Sequence, residues 1–198
     1  MCSSDLKYFP KDYNIFICGT VKEEKIDNVN YINRETLAKM INTDCFHTVI
    51  ISRYISFFEV FKNVSSYQNI IWAHDTHLIN YGCDLNDKII VKKWAAKITG
   101  CVCLTEWQAS QYRQIYPELK DKIHIINNGV DTELFKYDCN QKKPHSFMYS
   151  SCSERGLTHI IEVWPKILQI FPDATLNICS YNTFPRTPEE INIKKYMD

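Results

Sequence analysis

The sequence predicts an α/β protein: a parallel sheet built from βαβ units, followed by the start of a second unit of the same kind. Three observations predict it. Short β-branched runs alternate with segments of helical spacing, the rhythm of βαβ units rather than of hairpins. Asn128-Gly129-Val130-Asp131 lies between two apolar runs, as a turn between two such layers would. Ser153-Glu154-Arg155-Gly156-Leu157 stands at the mouth of a helix and opens the second layer.

The elements follow in order. Tyr13 to Cys18 is a short β-rich run ended by Gly19. Arg34 to Ile41 has helical spacing, with Asn33 as N-cap. Phe46 to Ser52 is a nearly continuous β-branched run, the pattern of a strand buried on both faces. Ile55 to Phe61 reads as a short apolar helix and Asn69 to His74 as the next strand. Lys88 to Ile98 reads as a helix and Cys101 to Leu104 as a strand. Thr105 caps a helix that runs through Trp107, Tyr112 and Ile115 to Pro117, and Lys122 to Ile126 is the strand before the Asn-Gly turn.

Asp138 to Pro144 is polar and reads as a linker, so the domains are taken as 1–137 and 138–198. Ser146 to Tyr149 opens the second domain as a strand. Gly156 to Phe171 has helical period, and Pro165 inside it predicts a kink or break, because an interior proline costs about 3 kcal/mol. Ala174 to Cys179 is the following strand. A second layer with so few strands leaves a sheet edge unpaired, which predicts self-association or tight packing of this unit on the first.

Composition narrows the function classes. The 198 residues are 45% hydrophobic and 23% charged, a globular balance. The formal net charge is +0, so the basic footprint of a nucleic-acid-binding protein is absent. No run approaches the roughly 20 apolar residues of a membrane span. Nine cysteines without a Cys-x-x-Cys pair, and no signal-peptide pattern at Met1-Cys2-Ser3, predict buried free thiols in a reducing, cytoplasmic compartment.

Two segments could carry chemistry. His74 and Asp75 end a strand, and ligands of open parallel sheets bind outside the carboxyl ends of strands. A histidine there can exchange a proton, and a neighbouring carboxylate can orient it. The competing reading is a structural histidine. His74 and His77 name no third metal ligand, and no Asp-x-Asp pair occurs. The second segment is Ser150 to Leu157. Backbone N–H groups at a helix N-terminus favour an anion, Arg155 adds a fork suited to phosphate oxygens, and Gly156 allows close approach. Its competing reading is that Ser153 caps a helix while Glu154 and Arg155 are solvated.

In order, Trp72-Ala73-His74-Asp75, Leu104-Thr105-Glu106-Trp107-Gln108, Ile125-Ile126-Asn127-Asn128-Gly129-Val130-Asp131 with Phe135, and Tyr149 to Leu157 with Trp164-Pro165 and Phe171 to Leu176 resemble the retaining GT-B glycosyltransferases of the "glycosyl transferases group 1" type. The style of the sequence is similar to that of glycosyltransferases of large DNA viruses, which would place it in a host cytoplasm. The resemblance implies two Rossmann-like layers, the acceptor on the first and a nucleotide-sugar donor on the second. It implies His74 and Asp75 as catalytic residues, and Asn128, Gly129 and Asp131 as the interdomain hinge. Ser151, Ser153, Arg155 and Gly156 would hold the donor diphosphate. No cofactor and no metal are implied; the donor is a substrate, and the acceptor a hydroxyl of a glycan, lipid or protein.

Against the family pattern, an early Gly-rich loop is missing and Ser150-Ser151 stands where Gly-Arg is usual. Glu189-Glu190 are adjacent and do not have the spacing of the family's donor-site glutamates, so the chain reads as truncated. Two functions therefore follow: a glycosyltransferase, or a non-catalytic relative that serves as a binding or scaffolding protein.

Overall fold

A computed structural model describes residues 10–79, 86–133, 135–136, 142–151 and 155–179. The chain divides into two compact units, Met1–Asp131 and Thr132–Asp198. The first holds a four-stranded parallel sheet of β4 (Cys45–Ser52), β5 (Ser65–Trp72), β6 (Gly100–Cys103) and β7 (Ile123–Ile125). The spatial order is β4-β5-β6-β7, so every strand lies beside its predecessor in the chain. This α/β arrangement is consistent with a Rossmann-like fold.

The sheet has unlike faces. One cross-strand row, Ile51–Ile71–Cys101–Ile123, is buried at its first three members. The next row, Ser52–Trp72–Val102–His124, points to the opposite face and is exposed or half-buried throughout. The core lies on the first face. There Ile71, Cys101 and Cys103 pack with Ile90 and Val91 of α3 (Asp87–Trp94) and with Ala109 and Tyr112 of α4 (Glu106–Ile115). The apolar run over 46–52 therefore does not mean burial on both faces. β4 is an edge strand of this sheet, and Ile50 is 39% exposed.

Polar caps fix the helix starts. Asn33 Oδ1 accepts from the N–H groups of Glu35 and Thr36 at 2.9 Å, capping α1 (Arg34–Met40) as the sequence predicts. Thr105 Oγ1 accepts from Gln108 N at 3.1 Å and caps α4. Asn86, which the sequence reading passed over, caps α3. The apolar stretch over 55–61 forms only the four-residue α2 (Phe57–Val60).

The strand expected at 13–18 forms as β1 (Ile15–Cys18), but it does not join the parallel sheet. It pairs parallel with β3 (Val29–Ile32), which pairs antiparallel with β2 (Glu24–Ile26), in a separate three-stranded sheet. The β2–β3 hairpin closes through Asp27 and Asn28, with Asp27 left-handed at φ 53°. Asn30 Nδ2 donates to the Ile15 carbonyl at 3.1 Å and helps to hold β1.

Asn128 and Gly129 do not form the expected turn. Neither has positive φ, and the exposed segment Asn127–Val130 is irregular. The division between units falls after Asp131.

In the second unit β8 (Ser146–Ser150) and β9 (Thr175–Cys179) pair in parallel around α5 (Leu157–Ile170). Tyr149 and Leu157 are buried, with Ile160, Ile161, Leu176 and Ile178 packed against them. Pro165 causes no break: α5 runs through it. The helix forgoes the bond that residue 165 would donate to the Ile161 carbonyl. Phe147 and Trp164 meet edge to face at 5.7 Å, so an aromatic anchor lies one residue before the proline.

Cys101 and Cys103 are buried, while Cys18, Cys45 and Cys179 are exposed, and these five are free thiols. The expectation of buried thiols thus holds for the β6 pair alone among them. A hydrogen bond with Cys103 and burial push the Cys101 thiol up, so it remains a small neutral core group. No helix among the described residues is long and apolar enough to cross a membrane.

Candidate functional site

The carboxyl ends of β5 and β6 carry the site residues of the first unit. Beyond Trp72 the chain leaves the sheet as Ala73-His74-Asp75, and beyond Cys103 as Leu104-Thr105. His74 falls on the half-exposed face with Trp72, their ring centroids 5.1 Å apart. The buried indole Nε1–H of Trp72 finds no partner among the described residues.

Two side chains hold the turn after β5. Tyr112 OH donates to the Asp75 carbonyl at 2.6 Å, and Gln108 Nε2 donates to the same oxygen at 2.9 Å. Gln108 Oε1 accepts from Leu104 N at 2.7 Å. One buried amide therefore ties the end of β5 to the end of β6. Farther along, Tyr116 OH donates to Asp87 Oδ2 at 2.6 Å and accepts from Leu78 N at 3.4 Å.

The third member comes from β4. Arg53 follows its last residue with a left-handed backbone, φ 78°, uncommon for a residue with a long side chain. Its N–H donates to the Trp72 carbonyl at 2.9 Å, which places the guanidinium over the next strand end. Arg53 Nη1 lies 3.0 Å from Asp75 Oδ2 and 3.3 Å from Oδ1. Asp75 is 19% exposed and Arg53 50%.

Partial burial, and then the Arg53 charge, hold the His74 pKa below its ordinary value; the Asp75 carboxylate opposes them and does not prevail. His74 is thus a neutral imidazole at neutral pH, donating from one ring nitrogen and accepting at the other. The sequence reading missed Arg53. Its signal was a charged residue directly after a β-branched run, one strand from His74.

These ends frame an open depression of about 350 Å³, lined by His74, Asp75, Thr76, Thr105, Trp107 and Gln108 among others. Trp107, at the start of α4, is 63% exposed. No group of three or more His, Cys, Asp or Glu side chains able to hold a metal occurs among the described residues.

The second set of expected residues lies in the other unit. Ser151 is half-buried just past β8, and Arg155 is exposed. Gly156 is the N-cap of α5, with φ 106° and no side-chain cap bond. Ser153, the helix cap of the competing reading, and Glu154 lie outside the described residues. A Cβ on Gly156 would meet only His159 Cδ2, at 3.9 Å, so backbone conformation rather than space requires glycine. Glu189 and Glu190 also lie outside the described residues. Asn128 and Gly129 are exposed, and Asp131 is half-buried at the end of the first unit.

No protein-family model matches the chain, and no curated protein matches it.

Proposed function

We propose that this chain is a glycosyltransferase of GT-B type or a close derivative of one. It would move a hexosyl group from a nucleotide-sugar to an acceptor hydroxyl with retention. The observation that carries the reading is His74: a neutral imidazole at the carboxyl edge of a parallel sheet, in an open depression, beside a carboxylate fixed by Arg53. Ligands of such sheets bind at that edge. A neutral histidine can hydrogen-bond a sugar hydroxyl without bringing charge to it, and Asp75 would orient it.

In the same reading Ser151, Ser153, Arg155 and Gly156 hold the donor diphosphate. Leaving of a nucleoside diphosphate develops negative charge, which fixed donors must meet. A helix start whose cap residue is a glycine and a guanidinium are such donors. Movement about Asn128, Gly129 and Asp131 would exclude water from the donor. The reaction as proposed calls for no metal or other cofactor, and the protein would act in a reducing compartment.

Ser150-Ser151 in place of Gly-Arg favours a second reading, a non-catalytic α/β binding protein that keeps the acceptor-side site.

Titration of the full chain with uridine, guanosine and adenosine diphosphates tests the donor half. Saturable binding of one of them, lost in Arg155→Ala and kept in Lys166→Ala, is the expected result. Absence of binding to all three would leave the binding-protein reading standing.

A further inference from the structure

The depression at the ends of β5 and β6 has the chemistry of a carbohydrate seat rather than of an ion or lipid site. Its large exposed apolar residue is Trp107, at the start of α4, with the half-buried Leu104 as the one aliphatic side chain of the lining. An indole face packs well on the C–H face of a pyranose, whereas an acyl chain needs a continuous apolar trough. Thr76, Thr105 and the imidazole of His74 stand around that plane and can both donate and accept, as sugar hydroxyls do. Among the described residues the Thr105 oxygen accepts from Gln108 N, and its own O–H is not used there as a donor.

Charge points the same way. Asp75 is matched by Arg53 at 3.0 Å, and neighbouring Glu106 is matched by Arg113 at 2.8 Å. His74 is neutral. Among the described residues, the lining thus offers no unmatched cation to attract a phosphate or carboxylate. The Asp75 carboxylate keeps lone pairs beyond those facing Arg53, and these can accept from a pair of adjacent hydroxyls.

We infer that this depression seats one uncharged sugar ring stacked on Trp107, with its hydroxyls directed to His74, Asp75 and the two threonines. The inference deepens the proposed function, since it narrows the acceptor to a neutral glycan. Its truth does not depend on transfer taking place.

The test titrates the full chain with maltotriose, cellotriose, chitotriose and mannotriose, and with glucose 6-phosphate and a heparin disaccharide as charged counterparts. Tryptophan fluorescence and the Trp107 indole ¹H–¹⁵N resonance are followed. At least one neutral trisaccharide should bind saturably and shift that resonance. Trp107→Ala should weaken binding tenfold or more, Trp107→Phe much less, and Ile89→Ala, an exposed apolar position on α3, not at all. Trp107 is largely solvent-exposed, so its replacement leaves the core untouched. The inference is overturned if no neutral trisaccharide binds, if a charged sugar binds more tightly, or if Trp107→Ala binds as the parent does. Nucleoside diphosphate binding separates this from the wider reading. Its retention with saccharide binding absent overturns the sugar seat alone; the converse overturns the donor site alone.

Discussion

Arg53 and Asp75, 22 residues apart in sequence, form an ion pair across neighbouring strand ends, with Nη1 3.0 Å from Oδ2 and 3.3 Å from Oδ1. The pair exists because β4 and β5 lie side by side in register, with Ser52 opposite Trp72. A left-handed backbone at Arg53 then turns the guanidinium toward the next strand. The two charges act on His74 in opposite directions: Arg53 adds to partial burial in lowering its pKa, and Asp75 opposes both.

Removing the guanidinium should therefore move His74. In Arg53→Gln a repelling cation is lost and the Asp75 carboxylate is no longer matched, so both changes favour imidazolium. The His74 pKa, read from its ring carbon protons by NMR, should rise above that of the parent. In Asp75→Asn it should fall. Unchanged titration in both variants would show that the pair does not act on His74.

Stability should depend on pH through the same residue. The folded-state pKa of His74 lies below its unfolded value of about 6.5. On acidification the unfolded chain takes up this proton first, so stability falls as pH drops through the interval between the two values and rises as pH increases. His74→Gln should lose less stability than the parent between about pH 8 and pH 5, measured by urea unfolding. Equal slopes would remove His74 from the account.

Gln108 should be the costliest polar residue of the site to delete. Gln108→Leu strips the Leu104 N–H of its acceptor and removes one of two donors to the Asp75 carbonyl. A loss of about 1–3 kcal/mol is expected by denaturant titration. Tyr112→Phe leaves the Gln108 bond to that carbonyl in place and should cost about 1 kcal/mol.

Pro165→Ala should stabilise the second unit. Alanine restores the bond to the Ile161 carbonyl and relieves the steric conflict of an interior proline, offset by a more flexible unfolded chain. A net gain of about 1–3 kcal/mol is expected. Slower amide exchange over Leu157–Ile170 would register it; faster exchange would mean that Phe147–Trp164 packing depends on the proline.

What the sequence made legible was local. Asn33 and Thr105 announced helix starts because a capping side chain acts within three residues. Apolar runs marked strands at 46–52, 69–74, 101–104 and 122–126, and strands form at 45–52, 65–72, 100–103 and 123–125; the polar first half of β5, Ser65 to Gln68, gave no such signal. Which strand forms the sheet edge was not visible, so β4 was read as buried on both faces. Nor did any local signal tell that β1 pairs with a strand near residue 30 instead of entering the parallel sheet. At the site, His74 and Asp75 could be singled out because they end a strand. The roles of Arg53 and Gln108 could not be read, since they arise from register between strands and from a helix folding back.

The uninterrupted β4-β5-β6-β7 order has a consequence for how this sheet comes into being. Each new strand meets a partner that has already been synthesised, so the layer can grow stepwise as the nascent chain emerges, without holding a place open for a later insertion. Ribosome-bound chains long enough for β6 to have cleared the exit tunnel should protect β4 and β5 from added proteases. The clamp from Gln108 and Tyr112 then closes one helix later, before β7 emerges.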